Sequence, residues 1–144
     1  MKVVNRKARY NYQILEKIEA GISLTGPEVK SVKQSRLKID DAFVRIRDNE
    51  AFLINANIFP YPFANTRDYN STRRRKLLLK KKQILALQKK MERANLTLIP
   101  VSCYTKGRLI KIEVALAKGK KKFEKRRVVK KRDIEREIER ELRG

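Results

Sequence analysis

The run of basic residues at 117–132 constrains the fold more than any other part of the chain. Between Lys118 and Arg132 there are ten Lys or Arg residues and a single acid, Glu124, so the local net charge is +9. A compact domain cannot bury such a run, because each charge would lose its hydration without gaining a partner. The run must therefore be solvated or lie against a polyanion, and the residues before it form the globular part of the chain.

The overall charge points to the same class of partner. The 144 residues include 38 Lys or Arg and 16 Asp or Glu, a formal net charge of +22. In heat-adapted surfaces Lys and Glu rise together, whereas here bases exceed acids by more than two to one. Such an excess repels itself in a compact state and is usually retained to bind a polyanion. We therefore expect nucleic acid as the partner, with an anionic membrane as the less favoured alternative.

The composition also removes most catalytic chemistry. There is no histidine and one cysteine, Cys103, so the commonest general base and the common zinc-ligand sets are missing. A lone cysteine excludes an intrachain disulfide and fits a reducing compartment. Asp40 and Asp41 are adjacent, and adjacent residues of a strand point to opposite faces. The two carboxylates therefore do not converge as an acid–base pair. We expect no enzymatic activity, no cofactor and no metal, and the lack of a signal-peptide or membrane-spanning run predicts a cytoplasmic protein.

The apolar pattern predicts about six strands and two helices. Leu15 interrupts the alternation of the first strand and indicates a bulge or twist, whereas Thr25, Pro27 and Glu28 are typical of a helix start. The predicted strands are at 10–19, 22–24, 41–47, 51–55, 96–105 and 109–117, and the predicted helices are at 27–34 and 80–94. Strands joined mostly as hairpins favour a mainly β fold, a small antiparallel OB-fold-like barrel with inserted helices.

The remaining residues form a C-terminal tail. We expect residues 1–117 to form the barrel and residues 118–144 to form a basic tail. Ile134, Ile138 and Leu142 recur every fourth residue, so the tail can become helical, but this stripe is too narrow to anchor a helix firmly. We therefore expect the tail to be disordered when free and to order on a partner.

Basic residues interleaved with an aromatic favour RNA over duplex DNA, because RNA exposes unpaired bases. A second basic run covers residues 73–82, where arginines can contact phosphates in bidentate fashion. Phe123 lies among cations and can stack on an unpaired base, worth roughly 1–3 kcal/mol. The alternative for Phe123 is ordinary packing where the chain leaves the barrel.

Several segments, in order along the chain, match one known family. They are residues 5–10, 18–22, 24–31, 41–46, 75–79, 117–121, 124–126 and 130–132. Together they resemble the SmpB family, the tmRNA-binding (SsrA-binding) proteins of bacterial trans-translation. The resemblance implies an RNA-binding adaptor whose OB-fold-like barrel grips the tRNA-like domain of tmRNA around its elbow and delivers it to stalled ribosomes. A structural ribosomal protein or a general RNA-binding protein is the alternative.

The resemblance also implies partners and site residues. The expected partners are tmRNA, the decoding centre and mRNA channel of the small ribosomal subunit, and elongation factor Tu carrying alanyl-tmRNA, with no membrane. Residues 1–9 are short and basic and are expected to form an N-terminal arm. With the basic residues of this arm, the first helix and the second basic run added, the expected RNA-binding residues are Asn5, Lys7, Arg9, Glu19, Lys30, Lys33, Arg73, Arg75, Lys76, Leu77, Lys118, Lys120 and Lys121. The expected ribosome-contacting residues are Phe123, Lys125, Arg126, Lys130, Lys131 and Arg132, and the tail is expected to be helical in the empty mRNA channel.

Glu19 and the segment before the second basic run stand out against this family pattern. Glu19 is an acid among expected RNA contacts; it can accept from a base amino group or a 2′-OH, or hold a neighbouring Lys or Arg in place. The chain also departs from the family's usual Asp-Pro before the second basic run, where it has Asn70 and Ser71, and it lacks the family's frequent histidines.

Overall fold

The structure is a computed structural model that describes residues 1–65 and 67–120. In this part of the chain there are nine strands and three helices. The strands are β1 (Lys2–Val4), β2 (Tyr12–Ile22), β3 (Leu37–Lys38), β4 (Phe43–Arg47), β5 (Glu50–Ile54), β6 (Asn57–Ile58), β7 (Arg75–Leu78), β8 (Thr97–Lys106) and β9 (Leu109–Gly119). The helices are α1 (Ala8–Asn11), α2 (Gly26–Lys33) and α3 (Lys81–Ala94).

Seven of these strands form one antiparallel sheet. Their order is β1-β8-β4-β5-β7-β2-β9, and β9 also pairs with β8. The pairings therefore pass from β8 through β4, β5, β7, β2 and β9 and return to β8, with β1 added outside this ring. Strands β3 and β6 form a separate two-stranded sheet. The predicted mainly β, antiparallel architecture is confirmed.

The core lies on the inner side of this sheet. Its buried side chains come from every strand of the ring, and α2 and α3 add Val32, Ile84 and Leu87 to the same cluster. The strand residues that pack there include Ala20, Val44, Leu53, Leu77, Leu98, Ile112 and Val114. Because the strands alternate between this core and solvent, the opposite side of each strand is available to position exposed side chains.

Several local features follow from the sequence. The register of β2 against β9 shifts between Ile14 and Glu16, so the predicted bulge at Leu15 is confirmed. Thr25 and Glu28 form the capping box that begins α2, and Asn95 ends α3 in the left-handed conformation. Gly107, at φ +61°, makes the tight turn between β8 and β9.

Other predicted elements need correction. The first strand begins at Tyr12 rather than Tyr10, because residues 8–11 form α1, and it runs on to Ile22. Residues 1–9 are not a free arm, since Lys2 pairs with Tyr104 across β1 and β8. The second basic run contains a strand, β7, and the short β3 and β6 were not predicted. Isolated two- to four-residue strands depend on pairing partners that are distant in sequence, so local periodicity does not reveal them.

The domain boundary expected after Ala117 falls within β9. This strand continues to Gly119, which pairs with Tyr12. None of the helices within the described residues is long and apolar enough to cross a membrane.

Candidate RNA-binding surface

The end of β9 brings basic side chains against the N-terminal segment. Lys118 pairs with Gln13 of β2. The Lys120 amide donates to the Asn11 carbonyl at 2.9 Å, and the Lys120 ammonium donates to the Arg9 carbonyl. Residues that are more than 100 positions apart in sequence therefore share one small area of surface.

Lys7 joins this area from the start of α1. Its ammonium donates to Asp41 at 2.8 Å, with both side chains largely exposed. This hydrogen bond, with the charge of Asp41, raises the pKa of Lys7, so the side chain remains a cation. We call Lys7, Arg9, Lys118 and Lys120 the junction cluster.

Asn5 supports the junction cluster from inside. Its side chain is buried and donates to the Pro100 carbonyl at 2.8 Å, and its amide oxygen accepts from the Lys7 backbone N–H at 3.1 Å. Both ends of the amide are thus used within the protein. In this arrangement Asn5 anchors the segment that carries Lys7 and does not face solvent.

Glu19 lies on a different part of the surface, across the β2–β9–β8 strands. The Tyr104 hydroxyl donates to one of its carboxylate oxygens, and the Lys106 ammonium donates to the other at 3.3 Å. The Tyr104 hydrogen bond lowers the pKa of Glu19, with help from Lys106 and Lys111, and the same bond raises the pKa of Tyr104 to about 12. Glu19 therefore stays ionised and holds a hydroxyl and an ammonium side by side.

Arg75 was expected to contact RNA, but it is buried. Its guanidinium is fully enclosed, and its Nε donates to Glu28 at 2.9 Å and its Nη1 to the Ala56 carbonyl at 2.8 Å. Arg73 donates to the other Glu28 oxygen, and the Tyr69 hydroxyl lies 3.2 Å from Glu28. We call Glu28, Tyr69, Arg73 and Arg75 the Glu28 network.

The carboxylate of this network is compensated by the two arginines that surround it. Burial alone raises the pKa of Glu28, but the Thr25 N–H, Arg73 and Arg75 outweigh it and lower the pKa to about 2. The network joins the first turn of α2 to β7 and to Tyr69 of the preceding loop. Arg75 consequently positions backbone rather than presenting its charge to a ligand.

The other expected RNA contacts are spread over the surface. Lys30 and Lys33 are exposed on α2, and the Lys30 ammonium lies 5.3 Å from the centroid of the Tyr61 ring. Lys76 is exposed on β7 and pairs with Glu50 at 3.2 Å. Leu77, its neighbour, points into the core and is 1% exposed. The structure therefore brings together the junction cluster but not the whole predicted set.

The expected contacts at Lys121, Phe123, Lys125, Arg126, Lys130, Lys131 and Arg132 lie outside the described residues.

Sequence reasoning missed the partners of Glu19 and of Glu28. The alternation of β8 and β9 signals that Tyr104, Lys106 and Lys111 share one side of the hairpin. The pairing of β2 with β9, which brings Glu19 to them, is long-range. Tyr69 carries no such signal, because it comes from an irregular loop.

Within residues 1–65 and 67–120, no three His, Cys, Asp or Glu side chains are placed to hold a metal ion. Cys103 is buried, and its burial raises the pKa of the thiol to about 12. The exposed surface presents Lys and Arg side chains on ordered strands and helices, and such side chains bind phosphates.

Comparison with known proteins gives one matching family, similar sequences and a similar structure. The model of the family described as SmpB protein matches residues 2–144. An SsrA-binding protein of Sulfurihydrogenibium sp. is 49% identical over 140 residues, covering 97% of this chain and 92% of that protein. An SsrA-binding protein of Mycoplasma mycoides subsp. mycoides SC is 48% identical over 135 residues, covering 93% and 91%. A chain from a solved structure described as "tmRNA-SmpB: a journey to the center of the bacterial ribosome" is 40% identical, with a TM-score of 0.70 and coverage of 84% and 85%.

Proposed function

Because this chain belongs to the SmpB protein family, we propose that it is an RNA-binding adaptor that binds the tRNA-like domain of tmRNA and delivers it to stalled ribosomes for trans-translation. The observation that carries this function is the family match over residues 2–144. The named relatives are SsrA-binding proteins, and the related solved structure is of tmRNA and SmpB on the bacterial ribosome. The partners are therefore tmRNA and the ribosome.

We propose that cations at the surface make the phosphate contacts. The junction cluster supplies Lys7, Arg9, Lys118 and Lys120, and Lys121 continues it. Lys30, Lys33 and Lys76 add further exposed ammonium groups. Each phosphate contact of this kind adds a salt-dependent contribution to affinity.

A second set of the expected residues holds strands and helices in place and does not contact RNA directly. Asn5, Arg75 and Leu77 are buried, and Arg73 is bound to Glu28, so we assign them to holding the α1 segment, α2 and β7 in place. For Glu19 we favour orientation of Tyr104 and Lys106, since both carboxylate oxygens already accept hydrogen bonds.

We also propose that the ring of six paired strands is an OB-fold-like barrel. In that case the globular part ends at Lys120, whose backbone N–H still bonds to Asn11, and the tail covers residues 121–144. We propose that Phe123, Lys125, Arg126, Lys130, Lys131 and Arg132 contact the decoding centre and mRNA channel. The adaptor then acts in the cytoplasm with elongation factor Tu and alanyl-tmRNA, and without enzymatic activity of its own.

The test compares the full chain with a chain that ends at Lys120. Both should bind the tRNA-like domain of tmRNA with affinities within about threefold, because the junction cluster is retained and the tail is assigned to the ribosome. Only the full chain should support peptide tagging on ribosomes stalled at the end of a truncated mRNA. A loss of RNA binding by the shortened chain would contradict this division of labour, whereas weak binding by both would contradict the function itself.

A further inference from the structure

The outer side of strands β4, β5 and β7 carries aromatic and basic side chains, most of which the proposed tmRNA contact does not use. Arg45 lies opposite Phe52, and Phe52 lies opposite Lys76, so these three form one row across the strands. Side chains two positions apart on a strand point the same way, which adds Phe43 and Arg47 to this side.

Burial shows that this side faces solvent. The alternate residues of the same strands point into the core and are buried, namely Val44, Ala51, Leu53 and Leu77. Arg45, Arg47 and Lys76 are exposed, whereas Phe43 and Phe52 are half-buried. We call Phe43, Arg45, Arg47, Phe52, Arg74 and Lys76 the outer face.

Two arginines of the outer face lie over its two aromatic rings. The Arg74 guanidinium carbon is 4.2 Å from the centroid of the Phe52 ring, and that of Arg45 is 5.6 Å from the Phe43 centroid. In the ion pairs formed among the described residues, neither Arg45 nor Arg74 takes part, whereas Lys76 pairs with Glu50 and Arg47 with Asp48. No described carboxylate therefore offsets the charge of either guanidinium group. Each group is also planar and lies against an aromatic ring.

The spacing suits successive bases. Phe43 lies opposite Ile54, two residues from Phe52 along β5, and such diagonal neighbours are ~7–8 Å apart. Aromatic and arginine side chains on the exposed side of a sheet can stack two or three unpaired bases in a row.

A recess opens beside Phe43, where the outer face meets α3. It has a volume of about 320 Å³ and is lined by residues 43–46 of β4 with Gln88, Met91 and Glu92 of α3. The amide of Gln88 can both donate to and accept from a base edge, and the carboxylate of Glu92 can accept from one. The recess is thus a place where one base can be read as well as stacked.

The outer face is remote from the Glu19 site. In the ring of pairings β5 is flanked by β4 and β7, whereas β9 is flanked by β2 and β8, which carry Glu19 and Tyr104. The centres of the two surfaces are therefore three strands apart in a ring of six. Of the residues proposed to contact tmRNA, only Lys76 lies on the outer face.

We propose that the outer face is a second RNA-binding site, which binds unpaired bases of a single RNA strand by stacking them on the Arg45–Phe43 and Arg74–Phe52 pairs. Four cations against the two acids Asp48 and Glu50 favour a polyanion over a protein partner, and the exposed ring–guanidinium pairs favour bases over phosphates alone. Base-paired RNA does not fit this site, because its bases are not available for stacking.

The experiment uses the full chain and a fluorescently labelled 12-nucleotide single-stranded RNA of mixed sequence, at a salt concentration raised to weaken purely phosphate-based binding. The decisive variant is Arg45→Lys with Arg74→Lys, which keeps the net charge and removes both planar groups. We expect affinity for the single strand to fall about tenfold, in line with the loss of a stacking platform. The matched control is Arg93→Lys with Arg108→Lys, two exposed arginines elsewhere, which should change affinity less than twofold.

The same variants are tested on the tRNA-like domain of tmRNA. Its affinity should not change, and protein already saturated with that RNA should still bind the single strand. If the tRNA-like domain does not bind to any form of the protein, the proposed function fails while the outer face remains testable with the single strand. An unchanged affinity of the Arg45→Lys/Arg74→Lys protein for the single strand, or displacement of the strand by the tRNA-like domain, would overturn the inference. Self-association of the protein that this variant abolishes would reassign the face to a second copy of the chain.

Discussion

At the residue scale, the chain uses one buried carboxylate to organise a region that is otherwise full of cations. Glu28 accepts from the Thr25 N–H, from Arg73 and from Arg75. A carboxylate enclosed among guanidinium groups makes burial of an arginine possible, since each charge finds a partner. The basic run at residues 73–82 is therefore divided, with Arg75 turned inwards and Lys76 outwards.

Glu28→Gln tests this arrangement. The change leaves the Arg75 guanidinium buried without a compensating charge, so we expect a loss of ~3–5 kcal/mol in the free energy of unfolding at neutral pH. Glu50→Gln, which removes an exposed carboxylate paired with Lys76, should cost ~0–1 kcal/mol. Urea unfolding of both variants gives the comparison, and equal small losses would show that the Glu28 network is not a structural support.

The pH dependence of the same variant has a definite sign. The pKa of Glu28 is lowered from 4.5 to about 2 in the folded protein, so its stabilising contribution is complete above pH ~4.5 and is lost as the pH falls through ~2. The difference in unfolding free energy between the native protein and Glu28→Gln should therefore shrink as the pH is lowered across that window. A difference that stays constant there would contradict the assignment.

At the scale of elements, the β4–β5 hairpin shows how a two-residue turn sets register. Asp48 and Asn49 have φ values of +53° and +61°, and left-handed conformation at both central positions is the turn that matches the twist of the flanking strands. The turn fixes Arg47 opposite Glu50 and hence Arg45 opposite Phe52. A local backbone feature thus determines which side chains form the outer face.

Substitutions at Asn49 measure the importance of this turn. Asn49→Ala should destabilise the protein by ~1 kcal/mol, because an ordinary side chain in the left-handed region clashes with its own backbone. Asn49→Gly should be neutral or slightly stabilising, since glycine enters this region without that cost. Thermal unfolding distinguishes the two, and an alanine variant as stable as the glycine variant would show that the turn can change type freely.

At the scale of the whole molecule, charge is distributed over several separate surfaces. Of the 38 Lys and Arg residues, 27 lie within residues 1–120, together with 10 of the 16 acids. The globular part is therefore strongly basic without the tail. The junction cluster places part of that charge beside the last described residue, Lys120, so RNA bound there lies next to the start of the tail.

The salt dependence of RNA binding tests that view. Lys118→Gln with Lys120→Gln should reduce the slope of log affinity against log salt for the tRNA-like domain of tmRNA by about 1–2, because each phosphate contact contributes roughly one unit. Lys89→Gln, an exposed lysine of α3, serves as the control and should leave the slope unchanged. A weaker affinity with an unchanged slope would mean that Lys118 and Lys120 do not contact phosphates.

Part of this architecture was predictable because it is local. Alternation and turn residues placed β4, β5, β8 and β9 to within about two residues, and the interruption at Leu15 marked the bulge in β2. The helix signals at Thr25, Pro27 and Glu28 gave the start of α2 to within one residue. These features depend on neighbours within a few positions, which is what a sequence pattern records.

The basic run at residues 117–132 by itself determined that these charges are solvated or lie against a polyanion, since no fold can bury them. The family motifs then identified RNA as the polyanion. Only the tertiary structure decided which cations face solvent. Arg75 and Lys76 are adjacent and equally basic, yet one lies within the core against Glu28 and the other is exposed. Likewise, Lys118 meets Gln13, and Lys120 meets Arg9 and Asn11, only because β9 pairs with β2. Side-chain direction and long-range pairing depend on contacts between segments far apart in sequence, and no local pattern carries that information.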